Sequence, residues 1–192
     1  MGQSAVYGKN PRARAGSVSL VDPVEYFEFV RDIPFRMPLS VGDPDHSCLR
    51  KALVLRPLLS SAGLKTRYAL CRFSWNGLNL PPSLKAVPHE DVVHIYLEVY
   101  SEEQGGWVAV DPTWDTGLAS KLPVSKWDGK HDTAIGVNPT ERLNPIDSEE
   151  GVYQFFDLPR LQDWLKLPMS SPSKVNGSFY RALNVWAERV RT

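Results

Sequence analysis

At 192 residues, with 42% apolar and 23% charged residues, the chain is long enough to bury one sizeable core and has an ordinary globular composition. Its formal net charge is zero and no basic or acidic block stands out, so neither nucleic acid nor a membrane surface is expected as a partner. No apolar run is long enough for a membrane helix, and the two cysteines, Cys48 and Cys71, have no metal-finger or CxxC spacing.

Residues 1–20, MGQSAVYGKNPRARAGSVSL, lack the apolar run of a secretory leader and read as a loose arm. A reducing, cytoplasmic setting is therefore expected, with no disulfide between the cysteines. Residues 21–192 are expected to form a single domain. DPVEYFEFVRD (22–32) predicts a first helix, capped by Asp22 with Pro23 in its first turn. A proline-broken extended stretch follows. The run from Cys48 to Ala62 predicts a second helix, with Cys48, Ala52, Leu55 and Leu59 on one stripe, Asp45 or Ser47 as cap and Gly63 as stop. Pro57 predicts a kink there, or a split into two short helices.

Three strands are predicted next: 66–75, 92–100 and 107–111. The first two are separated by the long loop 76–91, which holds Pro81, Pro82 and Pro88 and is expected to wall a substrate cleft. The last two are joined by SEEQGG, which suits a tight hairpin. From residue 116 to about 150 the chain reads as loop. A C-terminal helical extension (150–192) is expected to hold two amphipathic helices, near 157–167 and 178–190, the latter with Phe179, Leu183, Trp186 and Val190 on one stripe.

Strand alternation carries the first chemical inference. Val93, Ile95, Leu97 and Val99 share one face of their strand, while His94, Tyr96 and Glu98 share the other. In the next strand Val108 and Val110 oppose Trp107, Ala109 and Asp111. If both aliphatic faces point into the core, His94 and Asp111 share the other face, and the short hairpin places them opposite or one pair apart. Cys48 opens a helix, whose free N–H groups stabilise both a thiolate and an oxyanion. A nucleophile, a base and an orienting carboxylate are the parts of a cysteine acyl-transfer enzyme. Cys71 alternates with Ala69 and Phe73 and reads as core. Taken singly, Cys48 also fits a buried core thiol and Asp111 a turn residue.

The flanks of these three residues resemble the transglutaminase-like family of the papain-like superfamily, in its small microbial form. Cys48 is followed by Ala52, Leu58, Leu59, Gly63, Leu64, Arg67 and Tyr68; a second motif has His94, Tyr96 and Glu98; a third runs from Trp107 through Val110, Asp111, Pro112, Thr113 and Trp114 to Asp115. The segment Val30 to Phe35 also looks like the approach to the nucleophile in microbial members. The resemblance spans 43–115. It implies an α+β, papain-like fold with the Cys-bearing helix packed on an antiparallel sheet, and it supplies the meeting of Cys48 with His94 that spacing leaves open.

The resemblance further implies a Cys48–His94–Asp111 triad acting through a thioester on a peptide, protein or small amide, with hydrolysis and transamidation both open. No metal or cofactor is implied. Tyr96, Trp107, Trp114 and His89 are candidate substrate contacts. Leu49 stands where crosslinking members carry Trp, and no Gln or Trp between Asp22 and Cys48 offers a side-chain oxyanion donor. The alternative is a catalytically silent domain that uses the same cleft to bind a peptide or protein.

Overall fold

The computed structural model describes residues 22–40, 42–158 and 174–192. Helix α1 (Pro23–Asp32) begins as the sequence predicts, with the Asp22 carboxylate accepting from Val24 N at 2.9 Å. It buries Phe27 and Val30 against α2 (Cys48–Ser61). Helix α2 is one continuous helix across Pro57, so the expected alternative of two short helices does not occur. Pro57 is exposed, whereas Ala52, Leu55 and Leu59 are fully buried and hold the helix to the sheet on its other side. Burying three such side chains stabilises by several kcal/mol, enough to outweigh one lost hydrogen bond at about 3 kcal/mol. Gly63 ends the helix in the left-handed region, with φ at +87°.

The fold is α+β. Strands β1 (Thr66–Phe73), β2 (Val92–Ser101), β3 (Gly106–Val110) and β4 (Pro139–Arg142) form an antiparallel sheet in the order β3-β2-β1-β4. The fourth strand falls within the stretch read as loop. Its residues are all exposed, so there is no alternation to read, and it lies at an edge where Pro139 costs little. Two helices complete the described chain, α4 (Glu149–Phe155) and α5 (Lys174–Arg191). The helix expected near 157–167 falls largely outside the described residues, as does the arm at 1–20. No helix among the described residues is long and apolar enough to cross a membrane.

Both faces of the sheet are covered. Tyr68, Leu70, Ile95, Leu97, Val99, Val108 and Val110 meet α1 and α2. The other face, with Ala69, Cys71, Phe73, Tyr96 and Ala109, packs against Phe179, Leu183 and Ala187 of α5 and against the long loops. The loop 76–91 belongs to this second layer. It includes part of a 3-10 turn (Trp75–Gly77) and a one-turn helix, α3 (Pro82–Lys85), and buries Leu78, Leu80 and Leu84. Its apolar side chains hold it to the core, and none of its residues is among those lining the two spaces that open at Cys48, where a cleft wall was expected.

Charged groups stitch the layers together from inside. Lys51 is 1% exposed and its Nζ donates to the carbonyls of Arg31 (2.8 Å) and Thr113 (3.0 Å), joining α1, α2 and the turn after β3. Burial lowers its pKa to about 8, against the pull of Asp115 and Asp111. Asp115 accepts from Phe35 N (2.8 Å) and from Arg191 Nε and Nη2 (3.0 and 2.6 Å), which fastens α5 to the same turn. Replacing Asp115 by Ala strands a partly buried guanidinium and a buried N–H, so a loss of about 3–5 kcal/mol is expected. Glu141→Ala, which removes the exposed partner of Arg72, should cost under about 1 kcal/mol. Urea unfolding of both variants checks the contrast, and equal losses would contradict it.

Candidate active site

Strand register brings His94 and Asp111 together. Leu97 pairs with Val110 and Glu98 with Ala109, so continuing the ladder sets Asp111 across from Tyr96, one same-face pair from His94. The His94 Nε2 donates to Asp111 Oδ2 at 2.7 Å. Both side chains are essentially buried, at 1% and 0% exposure. The two faces were correctly matched by alternation, but the face carrying His94 is as buried as the aliphatic one, because α5 covers it.

Asp111 is held by the backbone around it. Its Oδ2 also accepts from Gly136 N (2.7 Å), its Oδ1 from Thr113 N (2.9 Å), and its own N–H donates to Thr133 Oγ1 (2.9 Å). Burial opposes its charge, yet His94 and these N–H donors hold the carboxyl below the usual range. Burial likewise opposes the imidazolium, but the Asp111 charge and hydrogen bond outweigh it, with a further contribution from Cys48, and His94 is pushed up to about 10. His94 is therefore a cation at neutral pH.

Cys48 stands beside this cation at the first position of α2, half-buried, and shares the wall of one cavity with the ring. Asp45 Oδ1 accepts from Ser47 N at 2.9 Å and turns the chain into the helix. The first intrahelical bond runs from Lys51 N to Ser47 O, and the Ser47 side chain makes no cap. The N–H groups of Cys48 and Leu49 thus precede the ladder and belong to the positive end of the helix. Cys71 pairs with His94 across the strands and is fully buried; burial, with the Asp111 and Cys48 charges, raises its pKa to about 12. Its sulfur is inert by comparison.

Two spaces meet at Cys48. A small cavity of about 60 Å³ lies between Cys48, His94, Thr113, Trp114, Trp75 and Tyr180. A groove of about 560 Å³ runs outward past Met37, Leu49, Val93, Phe155 and Phe156, with Asp45 and Asp157 among its polar residues. Met37 borders both spaces and is fixed by a two-way amide clamp, its N–H donating to Asn184 Oδ1 (2.9 Å) and its carbonyl accepting from Nδ2 (2.8 Å).

Of the candidate substrate contacts, Trp114 lines the small cavity, where its Nε1 donates to Gly136 O at 2.5 Å. Tyr96 is 1% exposed and stacks against the His94 ring, so it supports the imidazole from the core and lines neither space. Trp107 of β3 packs under Arg67 (4.2 Å) and against Tyr100 of β2, away from both spaces, because its strand runs outward from the site. His89 packs on Phe179 and lies outside both, since its loop is held to α5. Tyr96 and His89 thus belong to the second layer, packed on its core side, whereas Trp107 stays exposed at the outer strand.

Sequence reasoning missed Lys51, Gly136 and Tyr180. Lys51 was findable, as a charge three residues after Cys48 and four before Leu55, within the apolar stripe. Gly136 had no local sign; a Cβ there would stand 3.0 Å from Trp114 Nε1 and 3.2 Å from Asp111 Oδ2. Among the described residues, no group of three or more His, Cys, Asp and Glu side chains is placed to hold a metal ion.

The raised pKa of His94 fixes the sign of a pH effect. Its contribution to stability is fully present below the unfolded value of about 6.5 and is lost as pH rises through about 10. Lys51, whose folded value is lowered to about 8, acts in the opposite sense above that pH. Unfolding free energy should therefore fall between about pH 6.5 and 8 in the native protein, and this slope should flatten in His94→Gln. Urea titrations at both pH values measure it; an unchanged slope in the variant would contradict the ion pair.

No protein-family model, curated protein or solved structure matches this chain.

Proposed function

We propose that the chain is a cysteine-dependent acyl-transfer enzyme of the transglutaminase-like, papain-like kind, with Cys48 as nucleophile, His94 as acid and base and Asp111 as orienter. The observation that carries this reading is the buried His94–Asp111 pair set beside a half-exposed cysteine at a helix start. A structural histidine gains little from being kept cationic at full burial, whereas a thiolate partner needs that cation.

In the proposed reaction the Cys48 thiolate attacks the carbonyl carbon of an amide, forming a C–S bond while the carbonyl electron pair moves to oxygen. The N–H groups at the start of α2 face that oxygen. Collapse of the adduct breaks the C–N bond, and the leaving amine takes the His94 proton. Neutral His94 then accepts a proton from water or an incoming amine as it attacks the thioester, releasing acid or new amide and restoring the ion pair. Asp111 holds Nε2 throughout, which leaves Nδ1 as the nitrogen available to the sulfur and the leaving group. The mostly apolar groove, with two carboxylates and no basic side chain among the described residues that line it, favours acyl donors with a bulky apolar neighbour and disfavours anionic ones.

Iodoacetamide labelling at pH 6, read by peptide mass spectrometry, tests the nucleophile. Cys48 should react at least about 100-fold faster than Cys71, and His94→Gln should slow Cys48 by about tenfold or more. Equal slow labelling of both cysteines would favour a domain that only binds through this cleft.

A further inference from the structure

We propose that Tyr180 of α5 is a catalytic residue, its hydroxyl donating a hydrogen bond to the carbonyl oxygen of the acyl donor as that oxygen becomes an oxyanion. The proposal rests on the acyl-transfer reading of Cys48. It starts from position. Tyr180 borders both the small cavity and the open groove, and so does Cys48; a carbonyl presented to the thiol from the groove enters the space between them.

The tyrosine ring is packed against aromatic neighbours and its hydroxyl is uncommitted. The ring packs edge-on against Trp75 at 6.4 Å and Phe179 at 6.2 Å. Among the described residues its hydroxyl makes no hydrogen bond, and it is not among the polar atoms sealed from solvent. Trp75 Nε1 and Thr113 Oγ1, in the wall of the same small cavity, are sealed. A preorganised donor that is unpaired at rest and open to the substrate costs nothing to aim when charge develops.

Its acidity suits that task. Burial pushes the Tyr180 phenol up to about 12, with the Cys48 and Glu90 charges adding to the effect. The phenol therefore keeps its proton throughout the neutral range. In the step, the thiolate forms the C–S bond and the C=O electron pair becomes an oxygen lone pair. The Tyr180 proton stays on Tyr180, and the leaving group takes its proton from His94. This donor enters from the C-terminal helix rather than from the segment before the nucleophile, where the sequence has neither Gln nor Trp.

Two reagents separate this role from a structural one. Iodoacetamide alkylates a thiolate by displacement at saturated carbon and forms no oxyanion, whereas p-nitrophenyl acetate acylates it through one. Tyr180→Phe keeps the ring packing and removes only the unpaired hydroxyl, so the variant retains its fold. Acetylation of Cys48 should fall about 100-fold in Tyr180→Phe while its alkylation changes less than about twofold. Acetylation that survives unchanged, or falls only in step with alkylation, would overturn the role of Tyr180 and leave the nucleophile intact. Native Cys48 that is neither alkylated faster than Cys71 nor acetylated would overturn both readings.

Discussion

The buried carboxylate of Asp111 is the constraint around which the rest is arranged. A charge taken fully out of water must be met by partners on every side. Here they come from the neighbouring strand β2 (His94 Nε2), from the turn that follows (Thr113 N) and from a distant loop (Gly136 N). Satisfying it closes the loop 112–138 back onto the sheet. The same loop then supplies Thr133 to the Asp111 N–H and Asp132 to the edge of β3, where Ala109 N donates to it at 2.6 Å. One carboxylate thus fixes the imidazole and the backbone that shelters it.

A second set of charges positions Cys48. Lys51 lies one helical turn beyond Cys48 and is tied to the carbonyls of Arg31 and Thr113, so the start of α2 keeps a fixed distance from the turn that carries Asp111. Asp115 and Arg191 bring α5 to that turn, and α5 in turn presents Tyr180 and the Asn184 clamp on Met37. Paired buried charges are weak stabilisers compared with apolar packing of equal volume. Their value here is positional. They hold three elements, each delivering one group to a shared space, where methylene packing alone would allow sliding.

Much of this was legible in the sequence because it depended on local rules. The Asp22 cap, the stop at Gly63, the three strands and the common face of His94 and Asp111 all follow from hydrogen-bonding geometry within a few residues. What was not legible depended on tertiary contact. Pro57 reads as a kink or a split, yet burial of Ala52, Leu55 and Leu59 keeps the helix in one piece. Strand β4 reads as loop because a wholly exposed edge strand needs no alternation. Tyr96, Trp107 and His89 read as cleft residues because their motif neighbours are, but side-chain direction and the packing of α5 assign them elsewhere. Tyr180 could not be found from its own surroundings, since Cys48, with which it borders both spaces, is 132 residues away in the chain.

The most direct measurement is a rapid acid quench of the native protein mixed with a library of N-acyl amides and esters, read by intact mass. The account predicts a mass increase equal to the acyl group, located on Cys48, released by neutral hydroxylamine as a thioester must be, and missing from Cys48→Ala. An adduct that resists hydroxylamine, lies on another residue or forms equally in Cys48→Ala would contradict it, as would the lack of any adduct across the library.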